Sequence, residues 1–277
     1  MLATLNDVLP RARENRYAVG LFNTIDTDML EAVVSAAEAL DAPVIIGTAE
    51  VLLPYGELSL IAPSVLAAAD RARVPVVVHY DHGLTFERCL EALKLGFTSI
   101  MFDASTAPYE ENVERTREMV RIAHAFGATV EGELGHVGEA AAGTPQDGCT
   151  TAEEAAAFAA ATGVDALAVA IGTAHGVYKS RPHLDIGRLK EIRAAVDRPL
   201  VLHGGSGLSD ADFTDTVAAG IAKINIFTDL CLAGDAAMKA CADKNLGYLQ
   251  TRAARVEAIG LAVEKKIRLF GSAGKAR

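Results

Sequence analysis

Residues 198–209 read Arg-Pro-Leu-Val-Leu-His-Gly-Gly-Ser-Gly-Leu-Ser, and they contain the unit from which the chain is built. Residues 199–202 form a short apolar run, which is typical of a strand buried on both faces. His203 ends this strand, glycines and Ser206 follow, and Ser209 is placed to cap a helix. Glycines let backbone N–H groups approach an anion, and a helix N-terminus adds a favourable dipole. The segment therefore combines a candidate metal ligand with a candidate phosphate-binding turn.

The same alternation of an apolar run and an amphipathic segment recurs along the 277 residues. The eight predicted strands are residues 17–22, 43–47, 75–80, 99–102, 129–133, 166–170, 199–203 and 223–227. Residues 29–40 and 109–126 show the clearest helical spacing. Eight β–α units predict an α/β protein with the (β/α)8 TIM-barrel fold, as one domain over residues 1–277. A doubly wound sheet is disfavoured because no G-x-G-x-x-G follows the first strand.

Composition narrows the functional classes. A hydrophobic content of 51% can form one large core, and a net charge of −10 argues against binding to nucleic acid or to an anionic membrane. The N-terminus does not resemble a signal peptide, and no apolar run is long enough to span a bilayer. The four cysteines show no CxxC pairing. We therefore expect a cytoplasmic protein with reduced cysteines.

One long irregular stretch interrupts the pattern. Residues 135–148 are rich in glycine and alanine and follow the fifth predicted strand. Long loops in compact domains are often functional, so we expect a mobile lid over a site there.

Polar residues cluster just after the strands, where the chemistry of this fold takes place. His82, His175 and His203 each follow a different apolar strand. Imidazoles that converge from separate strands are typical of a transition-metal site, most often zinc, and three protein ligands leave a position open for substrate. Strand alternation instead directs His79 into the barrel layers, where we expect a hydrogen-bonded core role.

Carboxylates stand beside these histidines. Asp81 precedes His82 and is a candidate general acid or base, or a partner that orients a histidine. Glu133 is a candidate fourth metal ligand. Glu131 faces the same way by alternation, so a purely structural role stays open for one of the two glutamates. Asp103 ends the fourth strand, and the sequence predicts no role for it.

Phosphate-binding groups occur near the last strands, where this fold commonly binds phosphate. Gly176, Gly204 and Ser206 offer backbone and hydroxyl donors. Thr228 adds a hydroxyl group, and Lys179 adds a positive charge.

Five motifs, in this order, resemble the class II (zinc-dependent) fructose-bisphosphate and tagatose-bisphosphate aldolases. They are Tyr80-Asp-His-Gly83, Val130-Glu-Gly-Glu-Leu-Gly135, Ile171-Gly-Thr-Ala-His-Gly-Val-Tyr-Lys179, His203-Gly-Gly-Ser-Gly207 and Lys223-Ile-Asn225. The match runs from about residue 6 to residue 271. Each motif alone is weak evidence, whereas all of them in register are specific.

The resemblance implies an activity and its requirements. It implies an aldehyde-lyase that reversibly cleaves a ketose 1-phosphate or 1,6-bisphosphate into dihydroxyacetone phosphate and an aldehyde, through a metal-stabilised enediolate. Such enzymes act on small phosphorylated sugars in carbohydrate metabolism, including glycolysis. The resemblance also implies Zn²⁺, a monovalent cation (Na⁺ or K⁺), and assembly as a homodimer or homotetramer.

The resemblance also assigns roles to residues. His82, His175 and His203 match the zinc ligands, and Glu133 matches a glutamate that binds zinc in some states. Asp81 matches the residue that exchanges the proton of the C4 hydroxyl. The residues assigned to the dihydroxyacetone phosphate half and its cation are Asn23, Gly176, Lys179, Gly204, Ser206, Asn225 and Thr228.

The chain departs from the family pattern around the aldehyde half of the substrate. The acidic cluster of the family's lid is reduced to Glu139 and Asp147, and Glu139 is the candidate second acid or base. The usual Asp-Pro-Arg near the C-terminus is absent, and we expect Arg252 and Arg255 to be helix-surface charges. Phe227 stands where a small or acidic residue is common.

Other functions stay open at this point. The chain could act on a different sugar or deoxy-sugar-acid phosphate, or serve as a non-catalytic assembly subunit of a partner aldolase. A Schiff-base aldolase needs a lysine on a strand, but residues 166–170 have none and we expect Lys223 to begin its strand. A metallohydrolase usually needs His-x-His on the first strand, which residues 21–23 do not supply.

Overall fold

Parallel strands close into a barrel in the computed structural model, which describes residues 1–138, 150–176, 178 and 182–277. The strands are β1 (Leu2–Ala3), β2 (Val19–Asn23), β3 (Val44–Ala49), β4 (Val76–Gly83), β5 (Ser99–Phe102), β6 (Thr129–Leu134), β7 (Ala166–Val169), β8 (Leu200–Leu202) and β9 (Ile221–Ile226). The order β4-β3-β2-β9-β8-β7-β6-β5 closes because β5 pairs with β4. The predicted single-domain (β/α)8 barrel is confirmed.

Helices cover the outside of the barrel. They are α1 (Leu5–Asn15), α2 (Thr27–Ala39), α3 (Leu58–Arg71), α4 (Phe86–Leu95), α5 (Tyr109–Ala125), α6 (Ala152–Thr162), α7 (Ile186–Ala195), α8 (Asp210–Ala219), α9 (Thr228–Asp243) and α10 (Tyr248–Leu269), with a 3₁₀ helix at Glu50–Tyr55. Helix α2 begins two residues before the predicted helix because the Asp26 side chain accepts the N–H groups of Asp28 and Met29. Ser209 caps α8, as the sequence predicts.

The N-terminal segment closes the bottom of the barrel. Strand β1 was not among the predicted strands, and it pairs with β4 through Val76 and Val77, below the point where β5 joins β4 at His79. Leu5 and Leu9 of α1 are fully buried and pack with apolar residues inside the barrel. The lower interior is therefore a packed apolar core, and chemistry in this fold takes place at the opposite end.

Strand β4 is longer than predicted and is irregular where it reaches the mouth of the barrel. Its pairing with β5 shifts register between Tyr80 and Gly83, and His82 adopts φ 48° in the left-handed region. Only a few per cent of residues other than glycine adopt positive φ, and such residues cluster at functional sites. The irregularity allows Asp81 and His82, neighbours in sequence, to line the same cavity.

Two predictions about other segments need comment. Lys223 was expected to begin its strand, and this is wrong: β9 starts at Ile221, so Lys223 lies within the strand and is fully buried. Of the predicted lid, residues 135–138 are described, whereas residues 139–148 lie outside the described part of the chain.

In the described part of the chain, no helix has the length and apolar character needed to cross a membrane.

We expect Gly83→Ala to destabilise the protein. A Cβ at this position would lie 2.4 Å from Cys89 Sγ and 2.9 Å from the carbonyl oxygen of Met101. Such overpacking typically costs about 1–3 kcal/mol, measurable by urea unfolding. Gly260→Ala in α10 is the control, because its Cβ would meet nothing closer than 3.9 Å. An unchanged unfolding midpoint for Gly83→Ala would contradict this account of the strand.

Candidate active site

Three histidines converge at the carboxyl ends of β4, β7 and β8. The ring centroid of His82 lies 4.6 Å from that of His203 and 4.9 Å from that of His175. The centroids of His175 and His203 are 5.8 Å apart. In the described part of the chain, Nε2 of His82, Nε2 of His175 and Nδ1 of His203 are buried without a hydrogen-bond partner. These residues offer ligand atoms within 4.8 Å of one another, which is close enough for one ion to bind them all.

Carboxylates fix the orientation of two of the three rings. Asp103 Oδ2 lies 2.8 Å from Nδ1 of His82, and Glu131 Oε1 lies 2.7 Å from Nε2 of His203. When these nitrogens donate to the carboxylates, the opposite nitrogen of each ring keeps its lone pair for a metal. The two contacts therefore select the tautomers that a metal site requires.

A buried ion pair supports Glu131 from below. Lys223 Nζ lies 2.8 Å from Glu131 Oε2 and donates to Asn225 Oδ1 at 2.6 Å. Burial would raise the pKa of Glu131, but the charges of Lys223 and His203 outweigh it and lower the pKa to about 2. Glu131 is thus the structural member of the glutamate pair that the sequence left undecided.

Glu133 differs from Glu131 in its surroundings. Its Oε1 accepts the backbone N–H of Val137, whereas its buried Oε2 has no hydrogen-bond partner among the described residues and lies 3.4 Å from Nδ1 of His203. Burial in particular raises the pKa of Glu133. An oxygen in this position is available to a cation. His82, Asp103 and Glu133 form a second group with the spacing of metal ligands.

Electrostatics at the mouth of the barrel also favour a cation. Burial opposes the charged form of His82, but Asp81, Asp103 and Glu133 outweigh it and raise its pKa to about 9. Burial and the neighbouring histidines lower the pKa of His175 to about 3. This group contains one buried lysine, Lys223, which pairs with Glu131, against four carboxylates: Asp81, Asp103, Glu131 and Glu133. A divalent ion would offset this excess of negative charge.

The histidine donor set fits zinc in particular. Buried polar atoms without a partner are rare and costly, so three such imidazole nitrogens, on residues whose ligand atoms lie within 4.8 Å of one another, need a common explanation. Three neutral imidazoles with an open fourth position form the usual protein ligand set of a catalytic zinc.

His79 lies deeper in the barrel. Its Nδ1 is 2.8 Å from Ser99 Oγ, and the side chain is fully buried. Burial above all lowers the pKa of His79 to about 3, so the ring is neutral. The predicted hydrogen-bonded core role is confirmed.

Asp81 stands beside the three histidines, held by two amides. Its Oδ2 accepts the Nδ2 of Asn23 at 2.8 Å, and its Oδ1 accepts the Nδ2 of Asn225 at 3.1 Å. Burial raises the pKa of Asp81, but the charges of His82, Lys223 and His203 lower it well below the usual range. Asp81 is therefore an ionised carboxylate with a fixed direction, next to the candidate metal site.

One cavity of about 390 Å³ brings these groups together. The predicted site residues that line it are Asn23, Asp81, His82, His175, Gly176, Gly204, Ser206, Asn225 and Thr228. His203 and Glu133 are buried and do not line it. Glu139 and Lys179 lie outside the described residues.

The turns after β7 and β8 approach each other closely at one side of this cavity. Gly204 has φ 63°, and a Cβ there would lie 2.3 Å from the carbonyl oxygen of Ala174. The Tyr178 hydroxyl accepts the N–H of Ala174 and donates to the carbonyl oxygen of Gly204, both at 2.8 Å. Ser206 Oγ accepts the N–H of Phe227 at 3.2 Å, just before α9 begins. These contacts hold glycine turns and a helix N-terminus side by side, as anion sites require.

Sequence reasoning missed two residues of the site. Asp103 orients His82, and its position directly after a strand was the feature of the sequence that could have identified it. Tyr178 joins the two glycine turns. It lies within a quoted motif, but no sequence signal indicates that its hydroxyl reaches another strand.

Comparisons with known proteins agree with this geometry. The sequence profile of the class-II fructose-bisphosphate aldolases matches residues 3–275. A fructose-bisphosphate aldolase from Thermus caldophilus is 41% identical, with all of both chains covered. A 6-phospho-5-dehydro-2-deoxy-D-gluconate aldolase from Shouchella clausii is 39% identical over 97% of this chain and 94% of that protein.

Two crystal structures are similar throughout. That of the YdjI aldolase from Escherichia coli K12 has a TM-score of 0.92 at 38% identity, and all of both chains are covered. That of a putative fructose-1,6-biphosphate aldolase from Coccidioides immitis has a TM-score of 0.90 at 31% identity, over 98% of this chain and 97% of the other.

We expect Glu131→Gln to weaken zinc binding by about 10- to 100-fold, because His203 loses its charged orienting partner. Zinc retained after dialysis against a competing chelator measures this effect. Asp103→Asn, which leaves the buried lysine paired, should also weaken binding. Glu257→Gln, an exposed change on α10, is the matched control. Wild-type zinc retention in both site variants would contradict the orienting role.

Proposed function

The chain belongs to the class II fructose-bisphosphate aldolase family, and on that basis we propose that it is a zinc-dependent enzyme that cleaves a ketose 1-phosphate or 1,6-bisphosphate into dihydroxyacetone phosphate and an aldehyde. The observation that carries the proposal is the set of unpartnered nitrogens of His82, His175 and His203. They lie beside Asp81 and the glycine turns of a single cavity.

We assign the zinc to Nε2 of His82, Nε2 of His175 and Nδ1 of His203, with Glu133 as an exchangeable neighbour. Zinc bound there would supply Lewis-acid polarisation of the ketose carbonyl. Asp103 and Glu131 hold two of the imidazoles with the required nitrogens facing the site.

Asp81 acts as the base in the cleavage direction. Its carboxylate takes the proton of the C4 hydroxyl, the C4–O electrons form the aldehyde carbonyl, and the C3–C4 bond breaks with its electron pair left on C3. The amide donors of Asn23 and Asn225 hold the carboxylate in place. In condensation the same group returns the proton to the aldehyde oxygen.

The turns after β7 and β8, with the start of α9, form the phosphate site of the dihydroxyacetone phosphate half. Gly176, Gly204 and Thr228 line the cavity there. Ser206 also lines it, and its hydroxyl fixes the N-terminus of α9. Lys179 with a monovalent cation, and Glu139 as the acid for C3, stay predictions from sequence. Assembly as a homodimer or homotetramer and a cytoplasmic location are likewise proposals.

Three alternatives to this function were open from the sequence. Lys223 is now known to lie on a strand, but it is fully buried, paired with Glu131, and not part of the described cavity lining, which argues against a Schiff-base mechanism. The similarity to the deoxygluconate-phosphate aldolase supports a second candidate function, in which the aldehyde partner is a sugar-acid fragment. The convergence of His82, His175 and His203 argues against a non-catalytic assembly role.

Proton exchange tests the proposed function without any knowledge of the aldehyde. Zinc-loaded protein should exchange a C3 proton of dihydroxyacetone phosphate with deuterium in D₂O, and chelation of the metal should abolish the exchange. No exchange, together with no cleavage of any ketose 1-phosphate, would refute the proposal.

Within the same assay we expect Asp81→Asn to lower cleavage by roughly 10²- to 10⁴-fold. Exchange at C3 should persist, because Asp81 serves the C4 hydroxyl and not C3. Asp70→Asn is the matched control, since that side chain is exposed on α3. Equal loss of exchange and cleavage would contradict the assigned role.

A further inference from the structure

The cavity has two opposite sides, which the barrel topology defines. In the closed order β4-β3-β2-β9-β8-β7-β6-β5, strand β3 lies four positions from β7, and β4 lies four positions from β8. The glycine turns of the phosphate site follow β7 and β8. A ketose whose C1 phosphate binds those turns must therefore extend its far end toward the loops after β3 and β4.

Three residues that line the cavity on that far side are apolar. Val51 and Leu52 lie in the 3₁₀ helix after β3, Leu84 follows β4, and all three line the cavity. We call these three side chains the distal wall. Val51 is 65% exposed and Leu84 is 48% exposed. Apolar side chains of this size that converge on one cavity are typical of a surface that contacts a ligand.

Hydrogen bonds hold the distal wall in place. The carboxylate of Glu50 accepts the hydroxyl of Tyr80 at 3.0 Å and the backbone N–H of Leu84 at 2.9 Å. The 3₁₀ helix is thereby tied to the end of β4. Glu50 also places a negative charge directly behind Leu84, which disfavours an anionic group at this end of the substrate.

The two C-terminal arginines that the sequence offers in place of the missing Asp-Pro-Arg are engaged in ion pairs. Arg252 pairs with Asp28 at 2.9 Å and with Glu31 at 2.6 Å, and Arg255 pairs with Asp26 at 3.1 Å. The predicted surface role of these arginines is consistent with these ion pairs to α2.

The cavity lining agrees with this picture. Across residues 1–138, 150–176, 178 and 182–277, it contains no lysine or arginine. Residues 139–149 contain none in their sequence either. Of the remaining undescribed positions, Lys179 and Arg181 are cationic, and both follow β7 in the sequence.

Building on the proposed function, we propose that the distal wall of Val51, Leu52 and Leu84 selects an uncharged aldehyde with an apolar end, so that the substrate is a ketose 1-phosphate with no second phosphate. A terminal methyl group packs against these side chains. In condensation, C3 of dihydroxyacetone phosphate releases a proton to solvent, and the electron pair left on C3 forms the bond to the aldehyde carbon. The π electrons of the aldehyde carbonyl move to its oxygen, which takes a proton that Asp81 has gained from solvent. The terminal methyl group of the aldehyde takes part in none of these proton transfers and contributes to binding only.

Three aldehydes of equal carbon number test the proposal, with dihydroxyacetone phosphate held constant. They are lactaldehyde, glyceraldehyde and glyceraldehyde 3-phosphate, which end in methyl, hydroxymethyl and phosphate groups. We expect kcat/KM with lactaldehyde to exceed that with glyceraldehyde 3-phosphate by tenfold or more. Glyceraldehyde should fall between them, since an apolar site rejects an added hydroxyl by at most about 10². Equal or better use of glyceraldehyde 3-phosphate overturns the proposal.

Charge variants locate the selectivity. Val51→Arg and Leu84→Arg should each shift the lactaldehyde to glyceraldehyde 3-phosphate ratio of kcat/KM by tenfold or more toward the phosphate. Both positions are exposed enough to accept arginine without unfolding. Leu60→Arg on α3, at a side chain 77% exposed and outside the cavity lining, is the matched control. A ratio unchanged in both wall variants overturns the assignment to the distal wall.

The exchange assay separates the two levels of inference. Metal-dependent exchange on dihydroxyacetone phosphate does not involve the aldehyde, so it reports on the proposed function alone, and the control Leu60→Arg should retain it. Absence of exchange in the wild type would remove the proposed function itself. If the wild type catalyses the exchange but prefers the phosphorylated aldehyde, only the inference about the distal wall is refuted.

Discussion

A chain of contacts from Lys223 through Glu131 to His203 supports the whole mouth of this barrel. All three side chains are fully buried, so none can rely on water for its hydrogen bonds. Lys223 neutralises Glu131, and Glu131 takes one nitrogen of His203. The other nitrogen is left facing His82 and His175. Removal of Glu131 would leave Lys223 as a buried charge without its carboxylate, so the metal site and the barrel interior depend on the same ion pair.

The cavity above this chain is divided by its chemistry. Toward β7 and β8 it has glycine turns and the N-terminus of α9, which suit a phosphate. Toward β3 and β4 it has Val51, Leu52 and Leu84, which suit an apolar group. Asp81 lines the cavity beside the candidate metal site, at the bond that would be made or broken. Membership of the aldolase family agrees with the first half.

The sequence predicted what depends on local pattern. Apolar runs located the eight barrel strands, and polar residues after them located most of the cavity, because carboxyl ends of parallel strands meet at one edge. It could not predict the shifted register of β4, which brings Asp81 and His82 to one cavity. Nor could it pair Glu131 with His203, 72 residues away, or place Lys223 inside its strand, because both depend on the alignment between strands.

X-ray absorption at the zinc edge of the purified protein tests the central claim most directly, since it reports the ligands of the metal itself. We expect one zinc per chain with three imidazole nitrogens at about 2.0–2.1 Å, and loss of that signature when His175 is replaced by alanine. A protein that binds no zinc, or a zinc surrounded by oxygen ligands without imidazole, would contradict it.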